Sequence, residues 1–270
     1  MKVIMVDVDG VILDNSYRIN ADLSTLITSL SSAKTRIEII PNSDTPIERL
    51  DGIFKTVLNF SPKTIIGEKG AVIKSKRILG TGIYQIANIC GIDDYRNKLS
   101  DLFSSIDCDI VVGDSVTLVR EKKVFSPNRR MLIIDSLRRQ SIGFYLRTTD
   151  KNGLPVIDNA WFTEGRKLFE VLAIPDGLEA KDFNEACGVI IMNPVDINKT
   201  IGFQYVQKLY TECTEFFMIG DSDSDIINSK QVIMCSVGNG SENLKNESSF
   251  VSSKPFAQGL LECIDWIKAY

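Results

Sequence analysis

Short apolar runs alternate with segments of helical spacing along most of this chain. The first, KVIMVDVDGVILD (2–14), carries Val3 to Val6 as an unbroken apolar stretch, which predicts a buried strand. Two aspartates, Asp7 and Asp9, stand at its end with Gly10 behind them. Next, Leu23, Leu26, Ile27 and Leu30 recur at helical spacing within 19–33, with Asn20 or Asp22 available as N-cap. RIEII (36–40) predicts a second strand, and the polar turn 41–46 opens a helix, IERLDGIFKTVLNF. TIIGEKGAVIK (64–74) reads as two short strands around a glycine turn. Strand, helix, strand, helix is the order of a parallel sheet with right-handed crossovers.

The texture changes over 81–186. A helix-like segment covers about 82–105. VTLVR, KVFSP, IGFYLRTT and KLFEVLAI follow as strand-like pieces, with RMLIIDSLRR read as a helix among them. This predicts an α+β insertion in the first sheet. From GVIIMNPVD (188–196) the parallel pattern is expected to resume. Lys199 then begins a helix, and FFMIG (216–220) runs into Asp221-Ser222-Asp223-Ser224-Asp225 and an expected helix IINSK. VIMCSVG, a short helix, an edge piece and an amphipathic helix from Phe256 close the chain. The expected organisation is therefore a core of 1–80 and 187–270 with 81–186 inserted.

Composition narrows the chemistry more than the fold. The 270 residues are 44% hydrophobic and 24% charged, ordinary values for a globular protein, and the net charge of −4 gives no reason to bind nucleic acid. No apolar run is long enough for a membrane span, and Asp7 and Asp9 interrupt any signal-peptide core. A cytoplasmic location is expected. None of the six cysteines, at 90, 108, 187, 213, 235 and 263, forms a CxxC pair, which argues against a redox or zinc role. The chain has no histidine, so no Ser-His-Asp or Cys-His arrangement and no His-ligated zinc is possible. Catalysis would use carboxylates, lysine, hydroxyls, cysteine or a metal ion.

Functional-looking side chains gather at four junctions: Asp7 and Asp9, then Asn42 and Ser43, then Lys199, then Asp221 and Asp225. In a parallel sheet all four reach one edge. Two carboxylates two residues apart repel, and a hard divalent cation would offset them. A calcium loop fails on spacing, since it would need a ligand at Val11, glycine at Ile12 and glutamate at Arg18. Asp223 reads as a helix cap or a more distant group.

In this order the motifs resemble the haloacid dehalogenase superfamily of phosphotransferases, over about 165 of the 270 residues. DVDGV matches the first motif, Ser43 the second, Lys199 the third and GDSDSD the fourth; SVGNG and GEKGAVI resemble turns of the large-capped branch. The resemblance implies a Rossmann-like parallel α/β core with an inserted α+β cap. It implies Asp7 as nucleophile and Asp9 as general acid and base. Ser43, with Asn42 as the alternative, and Lys199 would hold the phosphoryl group. Mg²⁺ would be held by Asp7, the Asp9 carbonyl, Asp221 and Asp225, the last directly or through water. Thr200, Ser224 and Lys69 depart from the usual glycine, asparagine and asparagine without removing a catalytic group.

Between Arg120 and Arg147 there are eight basic and two acidic residues. A solvated surface explains them; Arg129 and Arg130, with Arg138 and Arg139, are the alternative as substrate contacts of the cap. The sequence-based expectation is a Mg²⁺-dependent phosphatase of a small phosphorylated metabolite, a sugar phosphate first among them, with no nucleic-acid or membrane partner. A phosphomannomutase-like mutase and a non-catalytic phospho-ligand binder are the alternatives.

Overall fold

The computed structural model describes every residue except 15–17, 20, 31–36, 80–81, 115–123 and 185–187. Asn20, VTLVR and Cys187 of the sequence reading lie outside the described residues. The chain divides into two compact units, one of Met1–Ile86 with Ile197–Tyr270, the other of Ala87–Asp196.

The first unit begins with β1 (Lys2–Val6), α1 (Leu23–Leu30), β2 (Ile37–Pro41) and α2 (Ile47–Gly52), continued by a π-helical turn over Ile53–Val57. β3 (Thr64–Gly67), β4 (Val72–Ser75) and β5 (Ile83–Gln85) then form an antiparallel sheet of their own. The expected helix over 82–105 thus loses its first turns to β5.

The second unit holds α3 (Ile92–Ser104), β6 (Cys108–Gly113), β7 (Arg130–Asp135), β8 (Ile142–Thr149), β9 (Pro155–Val156), α4 (Asn159–Phe169), β10 (Leu178–Asn184) and β11 (Val189–Pro194). Its sheet runs β10-β11-β8-β7-β6, with β9 pairing β8 and only β6–β7 parallel. Phe103, Phe144, Trp161 and Phe169 lie at the centre of its core.

Three expectations are corrected here. RMLIIDSLRR is not a helix: Met131 to Ile134 form a strand buried between β6 and β8, and an apolar run of that length has no periodicity to separate the two states. GVIIMNPVD does not rejoin the parallel sheet, because β11 pairs antiparallel with both β8 and β10. KLFEVLAI is not a strand. Its first residues finish α4, which Asp158 caps by accepting from Trp161 N at 2.9 Å and whose buried face is Trp161, Phe162, Gly165 and Phe169.

The first unit resumes with α5 (Lys199–Leu209), β12 (Glu215–Gly220), β13 (Val232–Ser236), α6 (Glu242–Glu247), β14 (Phe250–Val251) and α7 (Phe256–Ala269). The expected helix IINSK is absent: a 3-10 turn over Asp223–Asp225 gives way to extended backbone at Ile226. The main sheet is all parallel in the order β14-β13-β12-β1-β2. β1 lies inside the sheet between β12 and β2, with Val3 to Val6 buried, which is why they read as a continuous apolar run. Successive strands run outward from β1 in opposite directions, so the order reverses between β1 and β12. In open parallel sheets, the carboxyl ends beside such a reversal are where ligands are held.

Candidate active site

Register fixes which residues meet. Val6 pairs with Pro41 on one side and Ile219 on the other. The residues that follow, Asp7, Asn42 and Gly220, are therefore level at the sheet's carboxyl edge, one strand spacing apart. Asp7 N donates to Ile219 O at 3.0 Å, and Asn42 N to Val6 O at 2.8 Å, so pairing continues one step beyond the strands.

Beyond Asp7 the chain turns sharply through Gly10 at φ +88°. A Cβ on Gly10 would stand 2.2 Å from Asp221 Oδ2, so only glycine lets this turn lie against that carboxylate. Asn239 braces it from the far side, donating Nδ2–H to Gly10 O at 2.9 Å and accepting from Phe256 N at 2.7 Å.

Lys199 opens α5, whose N-cap Asn198 accepts from Ile201 N at 3.2 Å. The glycine turn between β3 and β4 sits against this helix start: a Cβ on Gly70 would be 2.5 Å from Asn198 O. Lys199 is 2% exposed, and its Nζ lies 2.9 Å from Asp7 Oδ1 and in contact with Asp225 Oδ1. The other oxygen of Asp225 accepts from Asp221 N at 2.8 Å, Ser222 N at 2.9 Å and Ser222 Oγ at 3.2 Å. Asp225 thus fixes the lysine with one oxygen and the 221–222 backbone with the other. Asp223 accepts from Ser241 Oγ on the surface, in keeping with a loop-bracing role.

Ser43 and Asn42 are both buried. Ser43 Oγ accepts from Thr45 N at 3.3 Å, which leaves its own hydroxyl proton to donate. The Asn42 amide lies against Met5 Sδ, inside the apolar cluster beneath the sheet edge. Asp9 Oδ2 accepts from Thr45 Oγ1 at 2.8 Å. Nothing in the sequence marks Thr45, and Asn239 enters the sequence reading only as part of the SVGNG turn; each works through a partner far along the chain.

Carboxylate oxygens of Asp7, Asp221 and Asp225 all lie within 4.8 Å of one another. Three carboxylates against the Lys199 ammonium leave this cluster at −2 when all are ionised. Burial pushes the Asp7 carboxyl well above its usual range; Lys199 opposes this, and Asp225 and Asp221 add to it. Burial, then Asp225 and Asp9, raise Asp221 to about 7, again against Lys199. Burial alone would lower Lys199, but Asp225 and Asp7 override it and hold the ammonium above the usual lysine range. A crowded, oxygen-only, net-negative site of this kind fits a hard divalent cation.

Arg129 and Arg130, in the second unit, are engaged with carboxylates. Arg129 donates to Asp107 at 2.7 Å and Asp109 at 2.9 Å; Arg130 donates to Glu164 at 2.8 Å and lies over the Trp161 ring. Arg138 is buried beside Asp135, 3.8 Å away.

No protein-family model matches the chain. A phosphoglycolate phosphatase of Archaeoglobus fulgidus is 27% identical over 161 residues, which are 59% of this chain and 64% of that protein. The match therefore spans a little less than two thirds of the relative's length. Among solved structures, a protein of Thermoplasma acidophilum superposes with a TM-score of 0.65 at 18% identity, covering 100% of this chain and 99% of that one. A haloacid dehalogenase-like hydrolase from Bacteroides thetaiotaomicron gives 0.64 at 17% identity, over 98% and 99%.

Proposed function

Starting from a chain with the haloacid dehalogenase-like fold, we propose that it is a Mg²⁺-dependent phosphatase of a small phosphorylated metabolite, with sugar phosphates the first class to test. One observation carries this reading. Asp7, at the end of β1, lies 2.9 Å from a buried lysine and within 4.8 Å of two further carboxylates. That is a nucleophile beside the positive charge a phosphate dianion needs.

In this reading an Asp7 oxygen attacks phosphorus while the bond to the leaving alkoxide breaks, giving an aspartyl phosphate. Asp9 protonates the departing oxygen, then takes a proton from the water that attacks the same phosphorus and frees Asp7. Lys199 and the Ser43 hydroxyl hold the phosphoryl oxygens as charge builds on them. Asp7, the Asp9 carbonyl and Asp221 would hold Mg²⁺, with Asp225 acting directly or through water. When bound, the ion would neutralise phosphoryl charge that otherwise repels a carboxylate nucleophile.

The Archaeoglobus relative's name makes phosphoglycolate a second substrate to include. The ion pairs of Arg129 and Arg130 give the mutase alternative no particular support, since a mutase must grip a second phosphate. The test is Asp7→Asn with 4-nitrophenyl phosphate and Mg²⁺. Phosphate release should vanish while circular dichroism and melting show an intact fold; wild-type turnover in the variant would end the proposal.

A further inference from the structure

Asp9 is held by a residue no motif predicts. Thr45, 5% exposed, donates its hydroxyl to Asp9 Oδ2 at 2.8 Å, in good hydrogen-bond geometry for an oxygen pair. Thr45 itself is pinned at both backbone atoms. Its N–H donates to Ser43 Oγ at 3.3 Å, and its carbonyl accepts from Glu68 N at 3.2 Å. The Ser43 backbone is tied in turn, donating to Ile66 O at 3.1 Å and accepting from Lys69 N at 3.0 Å. One short turn after β2, anchored to the β3–β4 turn, therefore touches both Asp9 and the Ser43 hydroxyl proposed above to hold the phosphoryl group.

We propose that Thr45 is a positioning residue for acid–base catalysis: its hydroxyl fixes the plane of the Asp9 carboxyl and marks Oδ2 as the accepting oxygen. The carboxyl's proton passes to the leaving oxygen as the phosphorus–oxygen bond breaks, and the carboxylate receives the proton of the attacking water in the second step. Through both steps Thr45 keeps its own proton. A threonine suits this task because its β-branch restricts the side-chain rotamers, so the donor is aimed before substrate arrives. This inference rests on the phosphatase reading above.

The experiment measures kcat/KM, which reports only the steps through leaving-group departure, for an alkyl phosphate and for 4-nitrophenyl phosphate. An alkoxide needs a proton to depart and nitrophenolate scarcely does. Positioned general acids contribute about 10²–10⁴-fold, so a mis-aimed one should forfeit an appreciable part of that. Thr45→Val, which keeps shape and removes the hydroxyl, should lower the alkyl ester's kcat/KM by about tenfold or more, and that of 4-nitrophenyl phosphate by less than about threefold. Thr45→Ser should restore both. Should Thr45→Val not fold, Thr45→Ala offers the same comparison. An equal fall for the two esters, or no fall, would overturn the inference and leave the phosphatase reading standing. Wild-type protein that hydrolyses neither ester would overturn both.

Discussion

Replacing Asp221 by asparagine should make the metal-free protein more stable at pH 8, and the advantage should vanish on acidification. Asp221 has a folded-state value of about 7 against an ordinary 3.8, because burial and then Asp225 and Asp9 oppose its charge. For an acid raised in the folded state, the favourable contribution is complete below the unfolded value and is lost as pH rises through the folded one. Between pH 5 and pH 8 the full shift corresponds to about 2–3 kcal/mol. Asp221 keeps a partly solvated edge, which reduces the penalty, so about 1–3 kcal/mol is expected. In a domain of this size that is roughly 3–10 °C in melting temperature. The assay is thermal melting of wild type and Asp221→Asn with a chelator, at pH 5 and pH 8. The difference between the two proteins should grow with pH in favour of the variant, while groups common to both cancel. Millimolar Mg²⁺ at pH 8 should reverse the order by raising the wild type alone, since ligand bound only to the folded state adds stability. A wild-type-to-variant difference that does not change between pH 5 and pH 8 would refute the electrostatic account of this cluster.

Gly10→Ala puts a Cβ where the Asp221 carboxylate lies, on backbone at φ +88°. It should cost about 1–3 kcal/mol of stability and weaken Mg²⁺ binding, measured by melting and by titration calorimetry, with the rest of the sheet unaltered. Lys199→Met removes the only cation contacting Asp7 and Asp225 among the described residues, leaving buried carboxylates unpaired. A loss of about 3–5 kcal/mol at neutral pH is expected, partly regained toward pH 5 as Asp7 takes up a proton; denaturant titration at the two pH values reads it.

The parts of the fold legible in the sequence are those where local pattern and long-range partner coincide. After their charged first residues, Lys2 and Glu215, β1 and β12 are apolar and buried to their ends, and the aspartate after each, Asp7 and Asp221, stands where the strand stops. Asp7, Asp221 and Asp225 meet because β1 and β12 are neighbours in the sheet, whereas Lys199 reaches them from the start of α5, which lies against the Gly70 turn. The second unit was harder to read for a physical reason. Met131 to Ile134 and Val189 to Met192 are short apolar runs whose state depends on which strands flank them. The same limit hides the arginines: nothing local tells Arg130 that Glu164 is opposite, or Arg129 that Asp107 and Asp109 will take it. Thr45 is the clearest case, since its contact with Asp9 exists only once two different turns have formed.

β1 pairs with β2 early in the chain but with β12 only near its end, where Lys2 meets Glu215. On a ribosome, then, the first strand emerges with one flank of its ladder open and waits through most of synthesis for the second. A prematurely terminated product would carry Asp7 and Asp9 but neither the lysine nor the carboxylates that complete their surroundings. Such fragments lack most of the proposed centre, and an unpaired hydrophobic strand edge is the kind of surface that aggregates or engages chaperones. The reacting centre proposed here is therefore assembled only after the chain has been made through Asp225.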